Sequence, residues 1–453
     1  MDNATLRVGF GKVDITPPLA AAYLGFHPRQ VPFEGIHDRL YARALAAENG
    51  DQAIAIVSAD ALGFSRSIFG PGRDFIAEVR EGITQATGIP ADHIMVAATH
   101  AHSTPQTTDL HDLLGWFPEL ADWLERLKWQ LVSAVTTAWQ SREPVEARVG
   151  VGEAPGIAWN RRILTTDGRL VIHRDRPPNE QVVKEPRDDR VPAVLFRGAT
   201  RRGALFGFCC HPTTVQVQPL VSADFPGVAT ALVERELDLE ACLFLQGACG
   251  DVGPIRRTTD FEDVALYGRS LGGEAVRQLA LQDARNWPAM APVIAAGTAC
   301  FEVPRRELPD RQALEQEVAR QRQRLETATD EATRQEALGA FRRAFEPLRL
   351  CQLGEGPVPL EVQALRLGDV LLVTAEGELF SEFGLRIVAE SPAPVTIVVG
   401  YANGYQGYFP TRAAWAEGGY EPSVGPWTRV DQHGGELLTE QAIALARQVW
   451  DGG

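Results

Sequence analysis

Two histidines separated by one residue, His100 and His102 in ATHAHSTP, directly follow the apolar run HIMVAA. On an extended strand, side chains at i and i+2 share a face. Such a pair can bind one metal ion together, or one ring can bind while the other moves a proton. A third imidazole, His211, ends another apolar run in ALFGFCCHPTT. A catalytic zinc needs about four ligands with one position left open, so a carboxylate should complete the set. Glu378 in AEGELF is the best placed, where a strand runs into a helix, and Glu376 should point the opposite way. Each feature also has a plainer reading. A buried histidine can be held by backbone alone, and a glutamate in a first helical turn is favoured by the helix dipole with no metal present.

The segment Gln246-Gly-Ala-Cys-Gly-Asp-Val-Gly-Pro254 is a glycine-rich turn after a strand. It lacks the Lys-Ser/Thr of a P-loop and does not fit GxGxxG, and Gly9, Gly11 and Lys12 likewise miss the Walker spacing. Nucleotide binding is disfavoured, and the glycines fit a close backbone approach to a substrate or metal.

These residues need elements to position them. Apolar runs of strand length end at Asp60, at His100 and His102, at His211, at Asp251, at Glu378 and in the aromatic loop YANGYQGY. Sites in α/β proteins lie beyond the carboxyl ends of strands, so six such ends predict one shared pocket. Amphipathic spacing predicts helices at Asp112–Trp139, Gly227–Leu237, Val264–Leu281 and Leu437–Trp450, with another in LFSEFGLRIVAE. Residues 145–163 with LVIHRD read as hairpins, and LEVQALRLGDVLLV as two strands around Gly368-Asp369. The expected class is α/β, a large mixed sheet flanked by helices with the metal site at strand C-termini. The chain, 1–453, reads as a single domain. Residues 309–347, dense in Arg, Glu and Gln, read as an inserted helical hairpin or one long exposed helix.

Composition bounds the partners. Hydrophobic residues are 45% and charged residues 23% of 453, which excludes a disordered chain and a membrane bundle. With 44 basic against 59 acidic residues the formal charge is −15, a poor match for nucleic acid or an anionic membrane. The amino terminus has no basic segment followed by an apolar core, so the default compartment is the cytoplasm. The six cysteines carry no CxxC and read as buried thiols.

Taken together, GFGKVDITPP, GIHDRLYARAL, ATHAHSTP, NRR at Asn160 to Arg162, CCHPTTV, SADFPG, QGACGDVGP, the Gly377-Glu378 strand end and ANGYQGYFPT followed by GGYE resemble the neutral/alkaline non-lysosomal ceramidase family, in its zinc-bearing amino-terminal domain. The resemblance implies one zinc per chain, with His100, His211, Glu378 and Tyr408 as ligands; Tyr405 is a close neighbour that could be confused with Tyr408. It implies His102, Arg161 and Tyr420 as catalytic residues, with Gly253 and Asp251 in the turn facing the substrate. Two departures stand out: Gly253 occupies the position where ceramidases carry a serine, and the chain ends soon after the zinc domain, without the family's carboxyl-terminal immunoglobulin-like domain. The expectation is therefore a zinc hydrolase that cleaves an amide or ester of a small soluble molecule with metal-activated water, without nucleic-acid partners or stable membrane association. Homo-oligomerisation stays open. The alternatives are a non-catalytic metal- or ligand-binding homologue and an atypical ceramidase that works without the serine. Asp60 and Asp251 are expected to orient histidine ligands or the turn.

Overall fold

The computed structural model describes residues 5–23, 31–70, 72–109, 118–172, 176–216, 218–255, 257–258, 260–284 and 287–452. Eight strands form the larger sheet: β1 (Arg7–Asp14), β2 (Tyr41–Asn49), β3 (Gln52–Ala59), β4 (Ile94–Ala98), β5 (Glu143–Glu153), β6 (Arg190–Gly198), β7 (Arg202–Phe208) and β8 (Ala241–Gln246). Their spatial order is β8-β7-β6-β5-β1-β2-β3-β4. The pairs β3–β4 and β7–β8 are parallel and the others antiparallel, so the sheet is mixed, as expected.

Strand alternation sorts the apolar residues into two rows. Ala44, Val57, Val96, Leu195 and Phe206 face one way, under helices α1 (Phe75–Thr87), α2 (Pro118–Gln140), α3 (Asp224–Leu237) and α4 (Phe261–Ala284). The glycines of β1 let α2 lie close, since a Cβ on Gly11 would stand 2.1 Å from the Ala134 carbonyl oxygen. The other row, with Leu45, Ile56, Met95, Phe196 and Leu205, meets a second sheet.

That sheet consists of β9 (Ile294–Val303), β10 (Val358–Leu367), β11 (Val370–Thr374) and β12 (Val395–Val399), paired in chain order. Leu365, Leu372 and Ile397 pack into the layer between the sheets. Val362, Val373 and Val398 face away and pack with residues of helices α7 (Ser381–Glu390) and α8 (Gly434–Asp451). The layers therefore run helix, sheet, sheet, helix. The sequence pattern predicts a single sheet, because apolar runs buried on both faces look the same whether helix or sheet covers them. Truncating a leucine of the middle layer to alanine should cost about 2–5 kcal/mol.

Between β9 and β10 stand α5 (Arg311–Glu326) and α6 (Glu331–Gln352), the hairpin alternative for the charged segment. Asp310 and Asp330 cap the two helices, and Val318, Phe341, Phe345 and Leu348 form a small core between them.

Several expectations change in detail. Residues 145–163 do not close on themselves as a hairpin. Strand β5 pairs with β6, and Ala158–Asn160 pairs with Val252–Pro254 instead. The local hairpin is Arg162–Thr165 with Leu170–Ile172, while 173–175 lie outside the described residues. Of the helix expected over 112–139, residues 112–117 lie outside them too. Cys300 is exposed on the edge strand β9 and Cys209 is half-buried, so only four of the six thiols are buried.

Candidate metal centre

Strand β4 stops at Ala98, and His100 takes a left-handed conformation with φ 65°. The two histidines therefore do not share a face of a continuing strand. A turn brings them together instead, with ring centroids 4.6 Å apart and the planes at 85°. His100 Nδ1 lies 2.6 Å from the Leu62 carbonyl oxygen. A carbonyl can only accept, so Nδ1 carries the proton and Nε2 presents a lone pair.

His211 follows β7 and is held the same way. Its backbone N–H donates to the Val252 carbonyl, and its Nδ1 lies 2.6 Å from the Cys249 carbonyl oxygen and 3.0 Å from that of Val252. The glycine-rich turn thus uses its backbone to orient a histidine.

Glu378 reaches the same point from the end of β11. Gly377 has φ 151°, and a Cβ there would stand 2.4 Å from the Gly407 carbonyl oxygen, so only glycine fits. Glu378–Leu379 then pairs in parallel with Tyr408–Phe409.

The three side chains converge. His211 Nε2 is 2.9 Å and His100 Nε2 3.7 Å from Glu378 Oε2, and His102 Nε2 is 3.1 Å from His100 Nε2. Ligand nitrogens of all three histidines lie within 4.8 Å of one another. Burial pushes the pKa values of His100 and His211 well below that of an ordinary imidazole, aided for His211 by the nearby Arg161 charge, so both rings are neutral. Neutral lone pairs facing a carboxylate in a dry site repel unless a cation lies between them. This donor set fits a divalent ion of the zinc type, and its two Nδ1–carbonyl contacts are the usual outer support of histidine ligands.

Of the two tyrosines, Tyr405 donates its hydroxyl to Glu378 Oε1. Tyr408 is buried beside Arg161, which hydrogen-bonds to it. Arg161 is half-buried. Against the burial that would discharge it, Tyr408 and Glu421 keep it charged. It donates to the Gly250 carbonyl and pairs with Glu421 at 3.2 Å, while its buried Nε finds no acceptor among the described residues. Tyr420 is 43% exposed, stacks on Trp427 and meets Tyr408 edge-on with centroids 5.8 Å apart. Gly253 lies under the Arg161 stem, and a Cβ there would meet Arg161 Cδ at 3.6 Å, an ordinary contact.

Asp251 and Asp60 turn away from the histidines. Asp251 accepts from the Ser381 backbone N–H at 2.7 Å, from the Ser381 hydroxyl at 2.9 Å and from Asn160 at 2.7 Å. It joins α7 to the turn rather than offering an oxygen to a substrate, and burial raises its pKa to about 6. Asp60 pairs with Arg43 and accepts from the Tyr41 backbone.

Sequence reasoning missed two supports. Gln246, fully buried, donates to the Thr99 and Cys210 carbonyls and accepts from the Cys210 N–H, stitching the ends of β4, β7 and β8 together. Its one available signal is a polar residue closing the apolar run ACLFLQ. The loop after β12 holds Tyr401 and Asn403 at φ 57° and 63°, which nothing in the sequence announces.

Comparison with known proteins bears on the family and the fold. The family model for neutral/alkaline non-lysosomal ceramidase, N-terminal, matches residues 6–263. A neutral ceramidase of Drosophila melanogaster is 30% identical over 246 residues, which are 52% of this chain and 33% of that protein. The chain thus spans about a third of the fly relative's length. A neutral ceramidase of Pseudomonas aeruginosa is 24% identical over 518 aligned residues, covering 99% of this chain and 73% of that one. The crystal structure of neutral ceramidase from Pseudomonas aeruginosa superposes with a TM-score of 0.72 at 20% identity, over 99% of this chain and 75% of its own.

Proposed function

The chain belongs to the neutral/alkaline non-lysosomal ceramidase family, and from that premise we propose that it is a metal-dependent hydrolase cleaving an amide bond of a small N-acyl substrate. One observation carries the reading: two neutral imidazole lone pairs and the Glu378 carboxylate converge in a buried site. His100, His211 and Glu378 would hold the ion, with Tyr408 as the family-based fourth ligand. When bound, a zinc-type ion polarises a carbonyl and lowers the pKa of water towards roughly 7.

The remaining roles fall to this chain's residues. His102 is half-buried with Nε2 beside the cluster, placed to accept a proton from the attacking water and return it to the leaving amine. Arg161 keeps its charge in a half-buried position and has an Nε donor left over for the oxygen that becomes negative during attack. Tyr420 lines the accessible side of the same centre. Gly253 offers no hydroxyl, which favours water over a protein nucleophile.

Metal analysis should give close to one zinc per chain. Turnover of N-acyl amino acids, N-acyl sugars or aryl esters should stop with a chelator. Metal-free protein, or chelator-insensitive turnover, would sink the reading. Ceramide is the second candidate substrate, favoured by relatives named for that activity, and hydrolysis of a short-chain fluorescent ceramide decides between the two.

A further inference from the structure

Tyr401 has no part in the roles above, yet it touches the support of all three candidate ligands. It is fully buried just beyond β12, and its φ of 57° is a conformation that a bulky aromatic residue adopts only when its surroundings enforce it. Its ring stacks on the His100 imidazole, with centroids 3.8 Å apart and planes at 19°. Its hydroxyl lies 3.2 Å from Cys249 Sγ, and the Cys249 carbonyl oxygen is the group that orients His211 Nδ1. Its backbone N–H donates to the Gly377 carbonyl, adjacent to Glu378, and its carbonyl accepts from Ala98 at the end of β4. Asn403 secures the same loop by accepting from the Val96 N–H at 2.9 Å.

We propose that Tyr401 is a positioning residue of the metal centre: its ring sets the plane of the His100 imidazole, and its hydroxyl, on the Cys249 thiol, couples that ring to the turn holding His211. The proposal rests on the metal-site reading above. Imidazole planes must be aimed to within a narrow angle for both lone pairs to meet one ion, and hydrogen bonds at Nδ1 leave each ring free to tilt about them. A stacked aromatic ring removes that freedom for His100.

The test compares the full chain with Tyr401→Leu and Tyr401→Phe. Zinc affinity is measured by competition with a chromophoric chelator, together with the visible spectrum of the Co2+-loaded protein and the thermal midpoint of the metal-free protein. Tyr401→Leu should weaken zinc binding about 10- to 100-fold, the range for residues that orient metal ligands, and should change the cobalt spectrum. Tyr401→Phe keeps the ring but loses the hydroxyl on Cys249, so it should bind zinc more weakly than wild type, by a smaller factor than Tyr401→Leu. A purely structural role would lower the thermal midpoint while leaving affinity and spectrum unchanged, and that result overturns the proposal. Wild-type protein that binds no zinc overturns the metal reading itself. If Tyr401→Leu fails to fold, Tyr401→Met replaces it. If that fails too, Tyr401→Phe decides through the hydroxyl: weaker binding supports the proposal, and wild-type affinity and spectrum overturn it.

Discussion

Glu376 and Glu378 are both buried glutamates, two residues apart at the end of one strand, and they serve opposite ends. Glu376 accepts from Arg66 at 2.8 and 3.2 Å, and Arg66 also reaches Glu361, which Arg80 grips with both terminal guanidinium nitrogens. Carboxylates there face guanidinium groups. Glu378 instead faces uncharged histidines whose free nitrogens are acceptors like itself. The first cluster holds its counter-charges within itself, although Glu376 Oε2 has no hydrogen-bond partner among the described residues, and the second gains a counter-charge only around a cation. What separates structure from function in this molecule is the charge of the partners, since residue type and burial are the same.

The comparison breaks most visibly at the metal side. His211→Ala should reduce zinc affinity by more than about 100-fold and abolish turnover, while the Arg66 cluster keeps the protein folded. Full zinc retention, measured by metal analysis, refutes the ligand assignment. Glu376→Ala should do the reverse. It leaves Arg66 with Glu361 and Asp74 and should cost about 1–3 kcal/mol in denaturant unfolding, with zinc stoichiometry unchanged.

A smaller effect distinguishes the two carboxylates by pH. Burial, only partly offset by Arg66, raises the Glu376 pKa from 4.5 to about 7. A raised carboxyl pKa means that the folded state binds the proton more tightly than the unfolded chain. Its contribution to stability is fully present below 4.5 and is lost as pH rises through about 7. Stability should fall across that window, by no more than about 3 kcal/mol, and Glu376→Gln should flatten the slope. Thermal melts at a series of pH values check this, and an unchanged slope in the variant rejects it. Smallest is Gly253→Ser, where the open contact with Arg161 predicts a stability change within about 0.5 kcal/mol and no gain in turnover. A tenfold gain would instead indicate a serine-dependent enzyme.

Much of the site was legible because its residues close apolar runs. His211 and Glu378 each stand just past a strand, and that position follows from hydropathy alone. Alternation would put Glu376 and Glu378, two residues apart, on one face; they part because the strand ends at Thr374 and the chain bends at Gly377, φ 151°, whereas the Gly368 hairpin follows from a turn glycine with φ 59°. Asp60 and Asp251 show the limit. Both end strands as the histidines do, but their hydrogen-bond partners come from other elements, a neighbouring strand for Asp60 and distant segments for Asp251, and those partners turn them into structural links. Tyr405 and Tyr408 lie in one short loop, and only the loop's path decides which hydroxyl meets Glu378.

By itself the sequence determined the α/β class, the choice of candidate donor residues and the ends of the strands that carry them, because hydropathy period and side-chain chemistry are local properties. The second sheet, the left-handed turns at His100 and Tyr401 and the choice of partners for each buried carboxylate were decided by the tertiary structure. These depend on which distant segments share a buried space, where a lone pair or charge must find its complement.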